Sequence, residues 1–377
     1  KIGEQVPAGD ILVENTHRKL RLVLDQAEML SQRYQVVVAN PPYMGGGKMN
    51  PPLSKLVAKH YADSKSDLMA CFMERAISAS LAGGFIGMIN QQSWMFLDYF
   101  KEVRRKCLES VQIQSLLHLG ARTFPEISGE VVQSVTFVFE NIAPIRPGVF
   151  YRLVDSGPTT SKRDDFTSGK NRYISHQEKY TKIPGSPLGY WFSDQMLSVF
   201  DQLNPLSDYA DVRAGLQTGD NDLFVRNWHE IPFGKFGEYS KTDCGYELAG
   251  KWFPYNKGGS FRKWYGNREL VVDWEFDGKN IKEDKLAKLA DGKILASNSK
   301  PKNTQYYFRK GVTWSTTGGK FASFRLMSQG EIFDIKGSSF FPNTNSHEYL
   351  MGLLNSSVAR SVISVLTPTL DYNPGYI

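Results

Sequence analysis

Asn40-Pro41-Pro42-Tyr43 joins a carboxamide, two ring-locked residues and a phenol in four consecutive positions. Each proline fixes its own φ and pushes the residue before it into an extended conformation. The Asn40 side chain and the Pro41 carbonyl are thereby expected to be held as a rigid pair of oxygen acceptors. An exocyclic amine on a purine could donate both its hydrogens to them, while Tyr43 offers a plane for the ring to stack on. Such an amine is a poor nucleophile because its lone pair is delocalised into the ring. Acceptors arranged for a tetrahedral nitrogen favour the transition state over the ground state and restore that nucleophilicity. The amine would then attack an electrophilic methyl group and afterwards lose its proton to water or a neighbouring acceptor. This chemistry obliges neither a metal nor a general base. A stiff turn after a strand is the plainer use of Pro-Pro.

Residues that act together must be held together, and the hydrophobic spacing predicts what holds these. Leu20, Val23, Leu24, Ala27 and Leu30 follow the three-and-four spacing of one helix face. Residues 35–39 form a β-branched run stopped by Asn-Pro-Pro, which predicts a buried strand with the tetrapeptide at its carboxyl end. In an open parallel sheet that is where ligands collect. A helix is predicted over 66–81, with Leu68, Phe72, Ala76 and Ile77 on one face and Gly83-Gly84 closing it. A buried strand at 85–89, a helix over 94–110 and strands near 113–119 and 132–139 follow. Alternation of helix and strand is the pattern of an α/β sheet. The Pro/Gly-rich stretch 143–148 and the polar run 157–171 read as linker or surface loop and place a domain boundary at 150/151. Beyond it, segments dense in Trp, Tyr, Phe and Gly at 251–255, 261–265 and 306–310 predict an irregular α+β or mostly-β module ending in a helix over 347–366.

The 377 residues are 41% hydrophobic and 22% charged, which excludes a disordered chain and fits two domains. Apolar runs such as 36–39 and 85–89 fall far short of the roughly 18 residues a membrane-spanning helix needs, so a soluble chain with no membrane partner is expected. Cys71, Cys107 and Cys244 are scattered, and the six histidines form no metal-ligand cluster, so neither a disulfide framework nor a metal site is signalled. A reducing, cytoplasmic setting follows. Lys1, with no initiator methionine and no signal sequence, reads as a boundary within a longer polypeptide. The net charge of +6 is unevenly spread, because residues 241–330 hold 17 Lys/Arg against 9 Asp/Glu. Lys251, Lys257, Arg262, Lys263 and Arg268 alternate there with aromatic residues, a pattern suited to phosphate contact plus stacking on nucleic acid. Lys300, Lys302, Arg309 and Lys310 are weaker candidates of the same kind. A solvated basic face is the plainer alternative.

Asn40-Pro41-Pro42-Tyr43 resembles the catalytic motif of amino-group DNA methyltransferases that use S-adenosylmethionine, most closely the gamma-class N6-adenine type. Ser66-Asp67-Leu68-Met69-Ala70-Cys71-Phe72-Met73-Glu74-Arg75-Ala76 is similar to the helix that follows the motif in that class, and Gly83-Gly84-Phe85-Ile86-Gly87-Met88-Ile89 to the next strand. The resemblance implies that Phe72, with Asn40, contributes to the cofactor site; ordinary core is the plainer role for Phe72. Phe124-Pro125 is similar to the motif whose Phe packs on the extruded base opposite the motif Tyr. A Tyr43–Phe124 sandwich would offset part of the few kcal/mol needed to flip a base out of a duplex. Gly215-Leu216-Gln217-Thr218-Gly219-Asp220-Asn221-Asp222-Leu223-Phe224, Trp314-Ser315 and Leu353-Leu354-Asn355-Ser356 resemble target-recognition domains. Pro368-Thr369-Leu370-Asp371-Tyr372-Asn373-Pro374-Gly375 resembles the ending of the large PglX-type adenine methyltransferases of BREX phage-defence systems.

The implied architecture is α/β: a partial Rossmann-like S-adenosylmethionine-dependent methyltransferase domain over 1–150, then an α+β target-recognition domain over 151–377. The implied partners are double-stranded DNA and other subunits of a restriction-modification or phage-defence system. Gamma-class enzymes also carry a Gly-rich loop and an acidic ribose-binding residue upstream of the motif. The 39 residues before Asn40 hold neither, so little activity is expected of this chain by itself. Met44-Gly45-Gly46-Gly47-Lys48-Met49 lacks the spacing of a phosphate-cradling loop and is expected to be a mobile loop beside the site. The alternative is a DNA-binding specificity module with an inactive methyltransferase remnant. The same four residues would also serve cytosine N4, an RNA amine or a protein amide.

Overall fold

The computed structural model describes residues 11–124, 133–157, 159–242, 245–317, 321–367 and 371–377. Lys1, Pro125, Val132, Cys244 and the 368–370 part of the terminal motif lie outside the described residues. The chain forms two compact units, Lys1–Asp201 and Gln202–Ile377.

The first unit runs α1 (Ile11–Ser31), β1 (Tyr34–Ala39), α2 (Pro51–His60), α3 (Leu68–Ala79), β2 (Ser80–Gln91), α4 (Lys101–Ser110), β3 (Gln112–Gly120), β4 (Ser134–Glu140), β5 (Gly148–Arg152), α5 (Thr159–Thr167), β6 (Arg172–Ser175) and α6 (Asp194–Gln202). Its six strands form one sheet in the order β1-β2-β4-β3-β5-β6. β1, β2, β3 and β5 run one way, and β4 and β6 run against them. This α/β sheet places the carboxyl ends of β1, β2 and β3 on one rim.

One face of the sheet is packed. Ile86, Met88, Ile113, Leu116, Phe137, Phe139 and Phe150 meet Met69, Met73 and Ala76 of α3, Trp94, and Val103, Cys107 and Leu108 of α4 in a single core cluster. Burying each of these larger side chains contributes about 1.5–3 kcal/mol. The other face is bare at its outer strands. Val36 stands opposite Phe85, Val38 opposite Gly87, and Gly87 opposite Val138. Val36 is 58% exposed and Val38 76%. The strand predicted to be buried is therefore an edge strand, paired with β2 alone and covered on one side only. Leu20, Val23, Leu24 and Leu30 of α1 are likewise exposed.

Three further expectations are corrected. Gly83-Gly84 does not close a helix: α3 ends at Ala79, and the glycines lie inside β2. There a Cβ on Gly84 would sit 2.9 Å from the Gln35 carbonyl of β1. The helix predicted over 94–110 is two short 3₁₀ turns followed by α4. The break between units falls at 201/202 and not at 150/151, because β5 and β6 extend the first sheet past residue 150.

The second unit carries β7 (Ala210–Arg213), α7 (Asn221–Phe224), β8 (Val225–Asn227), β9 (Glu238–Thr242), β10 (Gly245–Ala249), β11 (Trp252–Asn256), β12 (Leu270–Asp273), α8 (Glu275–Ala290), β13 (Gly311–Trp314), β14 (Phe324–Met327), β15 (Ile332–Phe333), β16 (Ser339–Pro342), α9 (His347–Leu354) and α10 (Ser357–Leu366). Two four-stranded sheets, β15-β11-β12-β8 and β14-β13-β16-β7, and the hairpin β9-β10 give it an α+β character. Aromatic residues make its cores: Phe253, Tyr255, Trp274, Tyr307 and Phe333 around the first sheet, Trp314, Phe324 and Phe340 around the second. Among the described residues no single helix is long and apolar enough to cross a membrane. The helix predicted over 347–366 is α9 and α10, bent by 69° at the Asn355-Ser356 break.

Candidate active site

The Asn40-Pro41-Pro42-Tyr43 segment leaves the carboxyl end of β1. Pro41 is buried, whereas Asn40 and Pro42 are exposed. Among the described residues neither the Asn40 carboxamide nor the Pro41 carbonyl has a hydrogen-bond partner. Both acceptors are thus unspent, while the proline between them and the core is fixed.

The segment is fastened on two sides. Tyr43 Oη donates to the Ile89 carbonyl of β2 at 3.3 Å. Burial, and then the negative charge of Asp67, push the Tyr43 phenol above its usual value, so it stays protonated and keeps donating. On the other side Asp67 Oδ1 accepts from Met44 N at 3.2 Å and from Met69 N at 3.0 Å. Asp67 is the N-cap of α3, and capping the first free N–H groups of a helix is a stabilising role for a carboxylate. Leu68 N donates to the Met44 carbonyl and Gly46 N to the Ser66 carbonyl, each at 3.0 Å. Residues 44–49, expected to be mobile, are therefore stitched to the start of α3. Asn50 then caps α2, its Oδ1 accepting from Leu53 N at 3.0 Å.

Phe72 lies five residues after Asp67, ~7.5 Å along the axis of α3. Its helix neighbours Cys71 and Met73 are buried, but Phe72 is 41% exposed. It is not core, and the apolar helix face predicted through Leu68 and Phe72 is in fact the Met69–Met73–Ala76 face. A flat apolar ring left open on the helix tied to the tetrapeptide fits the stacking of a cofactor adenine. Phe124 follows the carboxyl end of β3 on the same rim. No ring contact joins it to Tyr43 among the described residues. Lys162 Nζ fastens the chain just before this segment, donating to the carbonyls of Leu119 at 2.6 Å and Leu153 at 2.9 Å.

Beneath the rim lies a polar layer that sequence reasoning missed. Asn90 is fully buried, and neither atom of its carboxamide has a partner among the described residues. His118 Nε2 lies 2.6 Å from Gln92 Oε1, and His118 Nδ1 lies 2.9 Å from Tyr190 Oη. Gln92 Nε2 donates to Gln133, so its oxygen faces the ring; Nε2 carries the proton and Nδ1 accepts from Tyr190. Burial first, then the charges of Arg152 and Lys162, lower the His118 pKa to about 3. With both nitrogens engaged and the ring neutral, His118 is not a proton acceptor for chemistry at the rim. An Asn or His within an otherwise apolar strand was the available signal.

Four of the five basic residues predicted to contact DNA already have internal partners. Lys251 pairs with Asp273 at 3.2 Å and Glu275 at 3.6 Å, and Arg262 with Glu269 at 3.4 Å. Lys263 Nζ donates to the Asn355 carbonyl at 2.7 Å. Arg268 pairs with Glu331, which is 2% exposed. Lys257 makes no ion pair among the described residues.

Residues 10–124 match the family described as Eco57I restriction-modification methylase. The chain is 37% identical over a 392-residue alignment to the adenine-specific methyltransferase PglX of Lacticaseibacillus casei (strain Zhang), covering all of this chain and 32% of that protein. It is 36% identical over 373 residues to the adenine-specific methyltransferase BrxX of Escherichia coli O9:H4 (strain HS), covering 97% of this chain and 29% of that protein. The chain therefore spans about a third of the length of these curated relatives. Among solved structures, the type IIL restriction-modification enzyme MmeI in complex with DNA matches 90% of this chain and 46% of its own, with a TM-score of 0.56 at 13% identity. That likeness is one of fold.

Proposed function

We propose that this chain, similar along its whole length to adenine-specific methyltransferases and matching the Eco57I restriction-modification methylases over residues 10–124, supplies the amine-binding half and the recognition module of an N6-adenine DNA methyltransferase. The observation that carries the reading is the pair of acceptors, the Asn40 carboxamide and the Pro41 carbonyl, at the carboxyl end of β1, with no hydrogen-bond partner among the described residues.

The Asn40 and Pro41 oxygens accept the two hydrogens of the target N6 and draw the nitrogen towards tetrahedral geometry, an interaction strongest in the transition state. Pro42 restricts the backbone so that neither acceptor has to be ordered at the moment of reaction. Tyr43 stacks on the extruded adenine, with Phe124 on the opposite face. S-adenosylmethionine, which Phe72 and Asn40 would hold, would supply the electrophilic carbon and leave as S-adenosylhomocysteine when its sulfur–methyl bond breaks. The N6 proton leaves to water once nitrogen has taken up the methyl, consistent with a neutral, fully engaged His118 nearby. Residues 202–377 hold double-stranded DNA, with Lys257, which makes no ion pair among the described residues, facing a phosphate. In a cell such an enzyme would act on cytoplasmic DNA within a restriction-modification or phage-defence system, alongside other subunits of that system.

The test is methyl transfer from S-adenosylmethionine to adenine in duplex DNA by the full-length protein and its Asn40→Ala form. A loss of at least about 100-fold is expected, the scale of removing one preorganised transition-state contact. Equal activity in the two proteins would overturn the assignment. The isolated 1–377 chain is expected to transfer little or no methyl.

A further inference from the structure

The second unit contains a closed loop, residues 258–267, that presents three aromatic rings to solvent. Phe261 is 49% exposed, Trp264 51% and Tyr265 67%. Exposed aromatics are ordinary on a flexible segment, but this one is rigidly built. Asn267 Nδ2 donates to the Ser260 carbonyl at 2.9 Å, closing the loop on itself. Trp264 N donates to the Phe324 carbonyl at 2.9 Å, and Leu326 N donates to the Trp264 carbonyl at 3.0 Å, so the tip is hydrogen-bonded to β14 on both sides. Ser315 Oγ donates to the Gly259 carbonyl at 2.9 Å, and the buried Arg325 donates to the Arg262 carbonyl at 3.3 Å. A Cβ at Gly266 would stand 2.7 Å from Arg262 Cδ.

Within this frame Trp264 sits at φ 72 and Asn267 at φ 58. Asn tolerates the left-handed region; a bulky Trp there costs of order 1–3 kcal/mol and persists only where its surroundings impose it. The fold thus sustains a strained backbone to hold a large ring half in water. The neighbours identify what the ring meets. Across residues 257–269 the chain carries Lys257, Arg262, Lys263 and Arg268 against Glu269 alone, and the Arg268 guanidinium lies 5.1 Å over the Tyr265 ring. Rigid aromatic faces set in cationic surroundings match a polyanion with flat, stackable faces.

We infer that Trp264 and Tyr265 stack on nucleobases unstacked from double-stranded DNA, as a preformed platform in the recognition module. This rests on the reading of residues 202–377 as a DNA-holding unit. Lys263 and Arg268 are occupied by Asn355 and Glu331, so the loop contributes through its rings more than through its charges.

The experiment measures binding of the full-length protein to sheared, unmethylated double-stranded phage DNA over a range of salt concentrations, without cofactor. Trp264→Asn and Tyr265→Ala are each expected to weaken binding about 5- to 150-fold, the range of losing one aromatic–base stack. The dependence of log Kd on log salt should keep its slope. Trp264→Asn should also leave Tm unchanged or higher, since Asn suits φ 72. Wild-type affinity in both variants overturns the inference, as does a loss of affinity that only follows a loss of Tm. A loss confined to the salt slope would make the loop an electrostatic contact, and wild-type DNA binding with loss of a protein partner would make it a protein interface; either result overturns stacking. Methyl transfer by Asn40→Ala is read separately, so failure of the catalytic reading and failure of the platform are distinguishable.

Discussion

Asp67 Oδ1 lies 3.2 Å from Met44 N and 3.0 Å from Met69 N, so a single carboxylate oxygen both caps α3 and holds the residue that follows Tyr43. The helix that presents Phe72 and the turn that presents Asn40 are thereby registered to each other, with the Leu68 N–Met44 carbonyl bond at 3.0 Å beside this shared carboxylate oxygen. Asp67→Ala should cost about 1 kcal/mol of stability, the usual loss of an N-cap. Methyl transfer per folded full-length molecule should fall about 10- to 100-fold, because a shift of ~1 Å at a reacting group is that expensive. Asp67→Asn, an equally good cap and acceptor, should restore most of both. Steady-state kinetics on duplex DNA beside thermal melts will check this, and an unchanged kcat in Asp67→Ala would show that the turn is held by other contacts.

His118 gives a pH prediction with a definite sign. Its folded pKa, about 3, is depressed below the usual 6.5. The neutral ring therefore stabilises the fold fully above pH 6.5, and that stability is lost as pH falls from 6.5 towards 3. One additional proton taken up on unfolding corresponds to about 1.4 kcal/mol per pH unit. Urea melts between pH 7 and pH 4 should show this slope, and His118→Gln should flatten it by about that amount. A wild-type protein and a variant with parallel pH profiles would contradict a buried, neutral His118.

Arg268 and Lys257 should behave differently although both are basic residues of one segment. Glu331 is buried beside Arg268 and also accepts from Asn256 Nδ2 at 2.5 Å, so Arg268→Ala leaves a buried carboxylate without its counter-charge and should destabilise the second unit by about 3 kcal/mol. Lys257 makes no ion pair among the described residues. Lys257→Ala should change stability by less than about 0.5 kcal/mol and reduce the salt slope of DNA binding by roughly 0.9, the effect of one phosphate contact. Melts and salt titrations of the two variants in parallel separate the roles.

The contrast shows what was legible in the sequence. Residue type and spacing placed the strand before Asn40, the strand at 85–89 and the aromatic, mixed second unit. They identified basic residues but not their partners, because Glu331 is 63 positions from Arg268 and the ion pair is a product of tertiary packing. Glycines misled in one place, since Gly84 marks the close approach of β1 and not a helix end. Asp67 was not singled out, because its bond to Met44 depends on a loop returning to the start of the helix. Phe72 followed the helical period of a core residue, and only the packing of α3 through Met69 and Met73 showed that it faces outward.

β1 is fastened along one flank, by its ladder to β2, and Val38 leaves most of its surface in water two residues before Asn40. The direction in which the carboxamide points thus depends on that row of bonds from one side and on the Tyr43 and Met44 anchors from the other. Any polypeptide that came to rest against Val36 and Val38 would brace the strand from its free side. Through it, that brace would sharpen the aim of a side chain it never touches.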